Sequence, residues 1–308
     1  MVNILIVGFG NLGKRYYEAI SQIKHFVINN TNQPNNIYIY DPFINTDVEG
    51  ATILNSLCTR IVIDLAIIST CADVRFSVTE ELIENNTVIN IIFEKFLFLY
   101  EDDYTNMDVL LKKNYINAWV NCTRRLYEPY RYIYKKLITD IRMVVVGDKW
   151  DLCSNGIHYL DLYNYLDPGI KIGNLKMIDG EIIDSKRPGF KSMTGTIVSS
   201  NGNFRLVCNK NNGNIITKKI WNSEYEFVLI NCNNQLNIIE HNKNNDSYKT
   251  MVYDIPFLSE ISKEFITNII ENKEVNLPTF ADSIEPHKQL LKLFTDEFIK
   301  KDITVNFT

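Results

Sequence analysis

Val2-Asn3-Ile4-Leu5-Ile6-Val7-Gly8-Phe9-Gly10-Asn11-Leu12-Gly13 is the stretch on which the reading of this fold turns. Val2 to Val7 is almost wholly apolar, as expected of a strand buried on both faces. It runs straight into a G-x-G-x-x-G turn, and Lys14 to Ile23 continues with helical spacing. Each glycine has a physical task in such a turn. Gly8 permits the tight bend, Gly10 has no Cβ to obstruct a pyrophosphate, and Gly13 lets the helix lie close to the strand. The helix N-terminus then offers unbonded N–H groups to phosphate oxygens. Gly8, Phe9, Gly10, Asn11, Leu12 and Gly13 are therefore the candidate dinucleotide cradle. The pattern is weak alone and strong when an acidic residue ends the following strand.

Asp41 fills that place. Asn36-Ile37-Tyr38-Ile39-Tyr40-Asp41 reads as the second strand, and the polar stretch Asn29 to Asn36 as an enlarged surface loop that accounts for the long spacing. A carboxylate at this strand end accepts hydrogen bonds from ribose hydroxyls and repels a 2′-phosphate. Pro42 follows and no Arg or Lys stands close behind, so NAD is favoured over NADP. The alternative is a plain turn residue before proline.

Beyond Asp41 the chain alternates. Ile61–Thr70 reads as a buried strand, Val74–Asn85 as a helix, Val88–Phe93 as a strand ending in Glu94-Lys95, Tyr104–Lys113 as a helix and Ile116–Cys122 as a strand. Strand–helix alternation implies an α/β fold, a doubly wound parallel (Rossmann) sheet with ligands outside the carboxyl ends of its strands. Ser69-Thr70, Glu94-Lys95 and Asn121 with Arg124 are delivered there. The character changes near residue 150. Asn155–Leu166 reads as a helix capped by Ser154 or Asn155, and Ile170 to Asp254 as short strands split by Gly and Asn turns. Helices Leu258–Asn272 and Ile284–Lys301 close the chain. The expected division is 1–124, a dinucleotide-binding domain, and 125–308, an α+β substrate and oligomerisation domain with an open, mainly antiparallel sheet. Its last helices are allowed to pack back on the first domain. An uncovered sheet face would be buried against another copy, so a homodimer or homotetramer is expected.

Bulk composition bounds the rest. A net charge of -5 leaves no basic footprint for nucleic acid. No apolar run is long enough to span a bilayer, and the N-terminal apolar stretch lacks the flanks of a signal peptide, so the cytoplasm is expected. Cys58, Cys71, Cys122, Cys153, Cys208 and Cys232 are scattered with no C-x-x-C pair, which suggests reduced thiols and no metal site.

This order of features resembles the Gfo/Idh/MocA oxidoreductases along essentially the whole chain. The residues that carry the resemblance are Gly8 to Gly13, the strand end at Thr70, Glu94-Lys95, Asn121 with Arg124, and His158 with Asp161. It implies a nicotinamide cofactor, a sugar, nucleotide-sugar or cyclitol substrate, and a lysine and a histidine beside the nicotinamide. Three departures stand out. Phe96 replaces the proline after Glu-Lys, Arg75 stands near where a histidine would follow the Ser-Thr strand end, and Ser154 occupies the place of an Asp four residues before the histidine.

The chemistry of these residue types agrees with hydride transfer. A desolvated strand-end lysine, Lys95, would stabilise alkoxide charge. His158 titrates near neutrality and suits general acid–base work, and its expected place in the first helical turn favours neutral imidazole. Asp161, three residues on, would orient that ring or bind a hydroxyl. Asn121, Arg124 and Ser154 are substrate-side candidates, while Ser69, Thr70, Glu94 and Lys95 complete the cofactor side. Arg124 could instead pair with Glu128, and the tyrosines at 127, 130, 132 and 134 read mainly as helix packing. The expected activity is NAD-dependent oxidation or reduction of a sugar or nucleotide sugar in surface glycan synthesis. The alternatives are an NAD-recycling epimerase or eliminase and a non-catalytic dinucleotide-binding regulator.

Overall fold

A computed structural model describes residues 1–169, 172–185, 187–213 and 215–307. The chain packs into two compact units, 1–121 with 256–284 and 122–255 with 285–308.

The first unit begins with β1 (Val2–Val7), α1 (Asn11–Ser21), β2 (Phe26–Ile28), β3 (Thr31–Gln33), β4 (Asn35–Tyr40) and β5 (Ala51–Ile53). It continues through β6 (Val62–Ile63), β7 (Leu65–Ile68), α2 (Arg75–Asn85), β8 (Thr87–Val88), β9 (Asn90–Phe93), α3 (Glu101–Lys113) and β10 (Asn117–Val120). Six of these strands form one parallel sheet in the order β10-β9-β7-β1-β4-β5. β1 lies between β4 and β7, so the chain reverses its winding there and leaves a crevice at the strands' carboxyl ends. Val7 pairs with both Tyr40 and Ile68, which sets Gly8, Asp41 and Ser69 at the same level along that edge. Helix Leu258–Ile270 belongs to this unit and packs on α1, burying Ile261, Phe265, Ile266 and Ile269.

Two expectations need correction. The polar stretch 29–36 is not a loop: β2 and β3 form a hairpin across Asn29 and Asn30, both at positive φ (50° and 60°). Asparagine tolerates this conformation, and paired positive φ values make the tight turn that matches strand twist. The single strand expected over 61–70 is interrupted at Asp64, whose carboxylate accepts from Asn3 N at 2.7 Å.

The second unit opens with a 3₁₀ turn (Thr123–Leu126), α4 (Glu128–Lys136), β11 (Arg142–Asp148) and α5 (Leu152–Leu166). Then follow β12 (Leu175–Asp184), β13 (Lys191–Ser199), β14 (Phe204–Asn209), β15 (Ile216–Trp221), β16 (Tyr225–Cys232), β17 (Gln235–Asn242) and β18 (Ser247–Asp254). They form an eight-stranded sheet in the order β12-β13-β14-β11-β15-β16-β17-β18, antiparallel except for β11 beside β14. β11 is a strand the sequence reading did not foresee, and it lies in the interior of the sheet. Met143, Val145, Leu206, Phe227, Leu229 and Ile238 are fully buried, and α5 packs over β13 and β14.

α5 starts at Leu152, three residues earlier than expected, because Asp151 caps it by accepting from Ser154 N at 3.2 Å. His158 consequently sits in the second turn, beyond the reach of the helix-terminal charge that its expected first-turn place would have given. The chain's remaining helices are α6 (Leu258–Ile270) and α7 (Phe280–Lys300). No helix among the described residues is long and apolar enough to cross a membrane.

Candidate functional site

The glycine turn is shaped by what a side chain would strike. Gly8 has φ +89°, and a Cβ there would stand 2.9 Å from Thr70 N. A Cβ on Gly13 would stand 2.1 Å from the Gly8 carbonyl oxygen, so only glycine lets α1 approach β1 this closely. Gly10 differs: a Cβ there would meet nothing within 4 Å, which leaves room for a ligand backbone. No side chain caps α1 and no acidic residue stands in its first turn. Its N-terminal N–H groups therefore keep an anion-attracting field.

Asp41 closes the turn from the neighbouring strand end. Oδ2 accepts from Phe9 N at 2.6 Å and Oδ1 from Phe43 N at 2.9 Å. Ser69 Oγ donates to the Gly8 carbonyl at 2.6 Å, so Ser69 braces the turn. Thr70 Oγ1 is buried without a hydrogen-bond partner among the described residues, an arrangement a bound polar ligand would relieve. The open space at Gly10, the uncapped helix end and this hydroxyl all fit a dinucleotide.

Lys95 leaves the end of β9 half-buried, and the Lys95–Phe96 peptide is cis. Arg75, 2% exposed, fixes the backbone beyond it. Its guanidinium donates to the carbonyls of Thr70, Phe96 and Leu97, the last at 2.9 Å. Burial lowers the Arg75 pKa to about 10, and Glu94 opposes that shift. Glu94 and Asn121 are also buried: Glu94 Oε1 accepts from Tyr16 Oη and from Asn121 Nδ2, each at 2.6 Å. Burial first, and then the Glu94 charge, hold the Tyr16 hydroxyl well above its ordinary range. Both candidates thus contribute to an internal network under the strand ends.

In the second unit a cavity of about 220 Å³ gathers Arg124 and His158, two of the residues singled out from sequence. Thr123, Tyr127 and Tyr130 line it from the segment around Arg124, and Asn231, Leu236 and Ile255 from the sheet side. The Arg124 guanidinium lies 4.1 Å from the centre of the Tyr159 ring, and Arg124 forms no ion pair with Glu128 among the described residues. Ser154 and Asp161 do not line this cavity. Asp161 is buried and accepts from both Arg125 Nε, at 3.0 Å, and Arg125 Nη2, a bidentate pair that fixes its orientation.

Sequence reading passed over two residues here: Asn231, which lines the cavity, and Lys218, which is bonded to it. Lys218 of β15 is 0% exposed and donates to Asn231 Oδ1. The signal was present in the strand's period of two, which puts Lys218 on the inward face with Ile220. Reading it required knowing which phase faced the core.

No family profile matches the chain, and no curated protein sequence does either. Its fold, however, is shared with solved structures. The UDP-N-acetylglucosamine 3-dehydrogenase GnnA from Acidithiobacillus ferrooxidans aligns with TM-score 0.64 at 13% identity, over 95% of this chain and 96% of that one. The Bacillus subtilis protein YvaA gives 0.70 at 12% identity, over 100% and 99%. The transcriptional regulator Gal80p from Kluyveromyces lactis gives 0.66 at 15% identity, over 99% and 94%. At such identities the likeness establishes a common two-unit α/β architecture.

Proposed function

We propose that this chain is an NAD-dependent oxidoreductase of the Gfo/Idh/MocA type, moving a hydride between nicotinamide and a hydroxyl or keto carbon of a sugar or nucleotide sugar. The observation that carries the reading is the strand-end arrangement in the first unit. Gly10 is open, Gly8 and Gly13 admit no side chain, and the Asp41 carboxylate is tied to Phe9 N. Asp41 keeps lone pairs for ribose hydroxyls, and its charge disfavours a 2′-phosphate, which selects NAD over NADP.

When bound, the nicotinamide supplies the hydride acceptor or donor. Lys95 stabilises charge on the reacting oxygen, and His158 exchanges its proton. Arg75 is a positioning residue, since its bonds fix the backbone that follows Lys95. Asp161 holds Arg125 in the second unit, and Glu94 holds Tyr16 and Asn121 in the first. The dehydrogenase named among the fold relatives supports a nucleotide sugar as the substrate. A cytoplasmic homodimer or homotetramer completes the proposal.

A second reading, a dinucleotide-binding regulator without turnover, is favoured by two observations. A transcriptional regulator shares the fold, and Ser154 here offers no carboxylate one turn before His158.

Fluorescence titration with NADH and NADPH separates these possibilities. NADH is expected to bind more tightly than NADPH, and Asp41→Ala to weaken it about tenfold or more. Lys95→Ala and His158→Ala are expected to keep NADH binding and lose most turnover on a nucleotide-sugar panel. Full turnover in both variants would overturn the catalytic assignment. Binding without turnover on any substrate would favour the regulator.

A further inference from the structure

We propose that the cavity beside Arg124 and Lys218 recognises an acid group, a carboxylate or phosphate, on the substrate. The inference deepens the oxidoreductase reading and rests on it for the word substrate; anion binding itself is independent of the cofactor.

Charge balance singles out this cavity. Lys218 has no solvent exposure, and its hydrogen-bond partner is the neutral amide of Asn231. Burial first, then the nearby Arg124 charge, lower its pKa well below the ordinary lysine value. The Arg124 guanidinium lies over the ring of Tyr159 and beside the Tyr130 hydroxyl, and its Nε is buried without an acceptor among the described residues. Burial pushes the Tyr130 and Tyr159 hydroxyls up, so neither supplies a counter-charge near neutrality. The neighbouring buried carboxylates are already committed. Asp161 is held by Arg125, and Glu240, on the same sheet face, accepts from Lys136 at 2.6 Å and from Tyr132 Oη at 2.5 Å. The contrast on one sheet is direct: its inward carboxylate has a cation, while its inward lysine has no carboxylate among the described residues. Buried charges are ordinarily paired, because desolvation is otherwise uncompensated.

The cavity lies where the missing charge would go. Arg124 and Asn231 both line it. Lys218 Nζ donates to Asn231 Oδ1, which is therefore the acceptor side of that amide. Nδ2 is then left as a donor. The inward register explains the grouping: Ile216 pairs with Asn231, Asn231 with Leu236, and Lys218 is two residues along from Ile216. An arginine fork, an amide N–H and, behind it, a buried lysine whose proton a bound oxyanion would hold make a recognition set for a planar or tetrahedral oxyanion. A volume of about 220 Å³ accommodates a group of several heavy atoms.

The test is calorimetric titration of the full chain with D-glucuronate, D-glucose 6-phosphate and neutral D-glucose. At least one anion is expected to bind about tenfold or more tightly than glucose. The preferred anion distinguishes carboxylate from phosphate. Lys218→Met and Arg124→Lys are expected to lose that preference while their thermal transitions stay cooperative. Equal binding of all three sugars, or a preference that both folded variants retain, would overturn the inference. NADH titration on the same samples keeps the two claims apart. Intact NADH binding with turnover of neutral sugars and no anion preference would sink the acid pocket alone, whereas lost NADH binding with a retained preference would sink the oxidoreductase reading.

Discussion

Arg75 shows how one side chain can organise a loop. Its guanidinium bonds three carbonyls in a place without solvent, so losing it leaves buried acceptors unpaired. Arg75→Leu is expected to cost about 3 kcal/mol in denaturant unfolding, and to lower kcat more than it weakens NADH binding. An unchanged unfolding midpoint would contradict that role. Lys218 gives a pH signature. Its folded pKa lies well below 10.5, chiefly through burial. Across that interval the unfolded chain holds a proton the folded chain has released, so stability rises with pH up to about the unfolded value. The Tm advantage of Lys218→Met over the parent should be largest at the low end and shrink as pH climbs toward 10.5. A difference independent of pH would rule out this linkage.

At the scale of elements, caps and registers decide where functional side chains land. Asp151 stands at φ 63° and caps α5 through Ser154 N, and Ser192 Oγ also donates to it. Asp151→Ala is expected to cost about 1 to 2 kcal/mol, and Asp151→Asn to recover much of that loss because an amide still accepts and tolerates positive φ. Thermal unfolding of the two variants checks the ordering. The sequence placed this helix but not its start: Ser154 and Asn155 are as good caps by type as Asp151, and only the chain's path at Trp150 and Asp151 settles the choice. Inward Lys218 was hidden for a related reason. A strand's two faces are equivalent in sequence until the sheet is assembled.

At the scale of the molecule, the first unit is discontinuous in sequence. Phe280 lies 5.4 Å from Phe93 and 6.1 Å from Phe98, and Val120 N donates to Pro278 O at 3.0 Å. A fragment cut at 1–124 therefore lacks residues that cover its own core, and α1 loses the helix packed upon it. It is expected to aggregate or bind a hydrophobic dye, unlike the whole chain. The outward face of the eight-stranded sheet carries exposed Ile239, Val252 and Val146. If copies associate through it, Ile239→Glu should lower the mass seen by light scattering, and an unchanged mass would exclude that face.

The sequence by itself determined the parallel first sheet, because the glycine turn and the Asp41 strand end are local: spacing, backbone freedom and apolar runs carry them within a few dozen residues. It also singled out Lys95, Arg124 and His158, of which Arg124 and His158 line one cavity. What only tertiary structure decided was partnership. Asp161 is matched to Arg125 across 36 residues and Glu94 to Tyr16 across 78. β11 enters the middle of a sheet whose other strands come later in the chain. Lys218 reaches Asn231 through pairing register. Charge balance in a buried site is a sum over groups distant in sequence, and it exists only once the fold has removed the water that would otherwise solvate each of them.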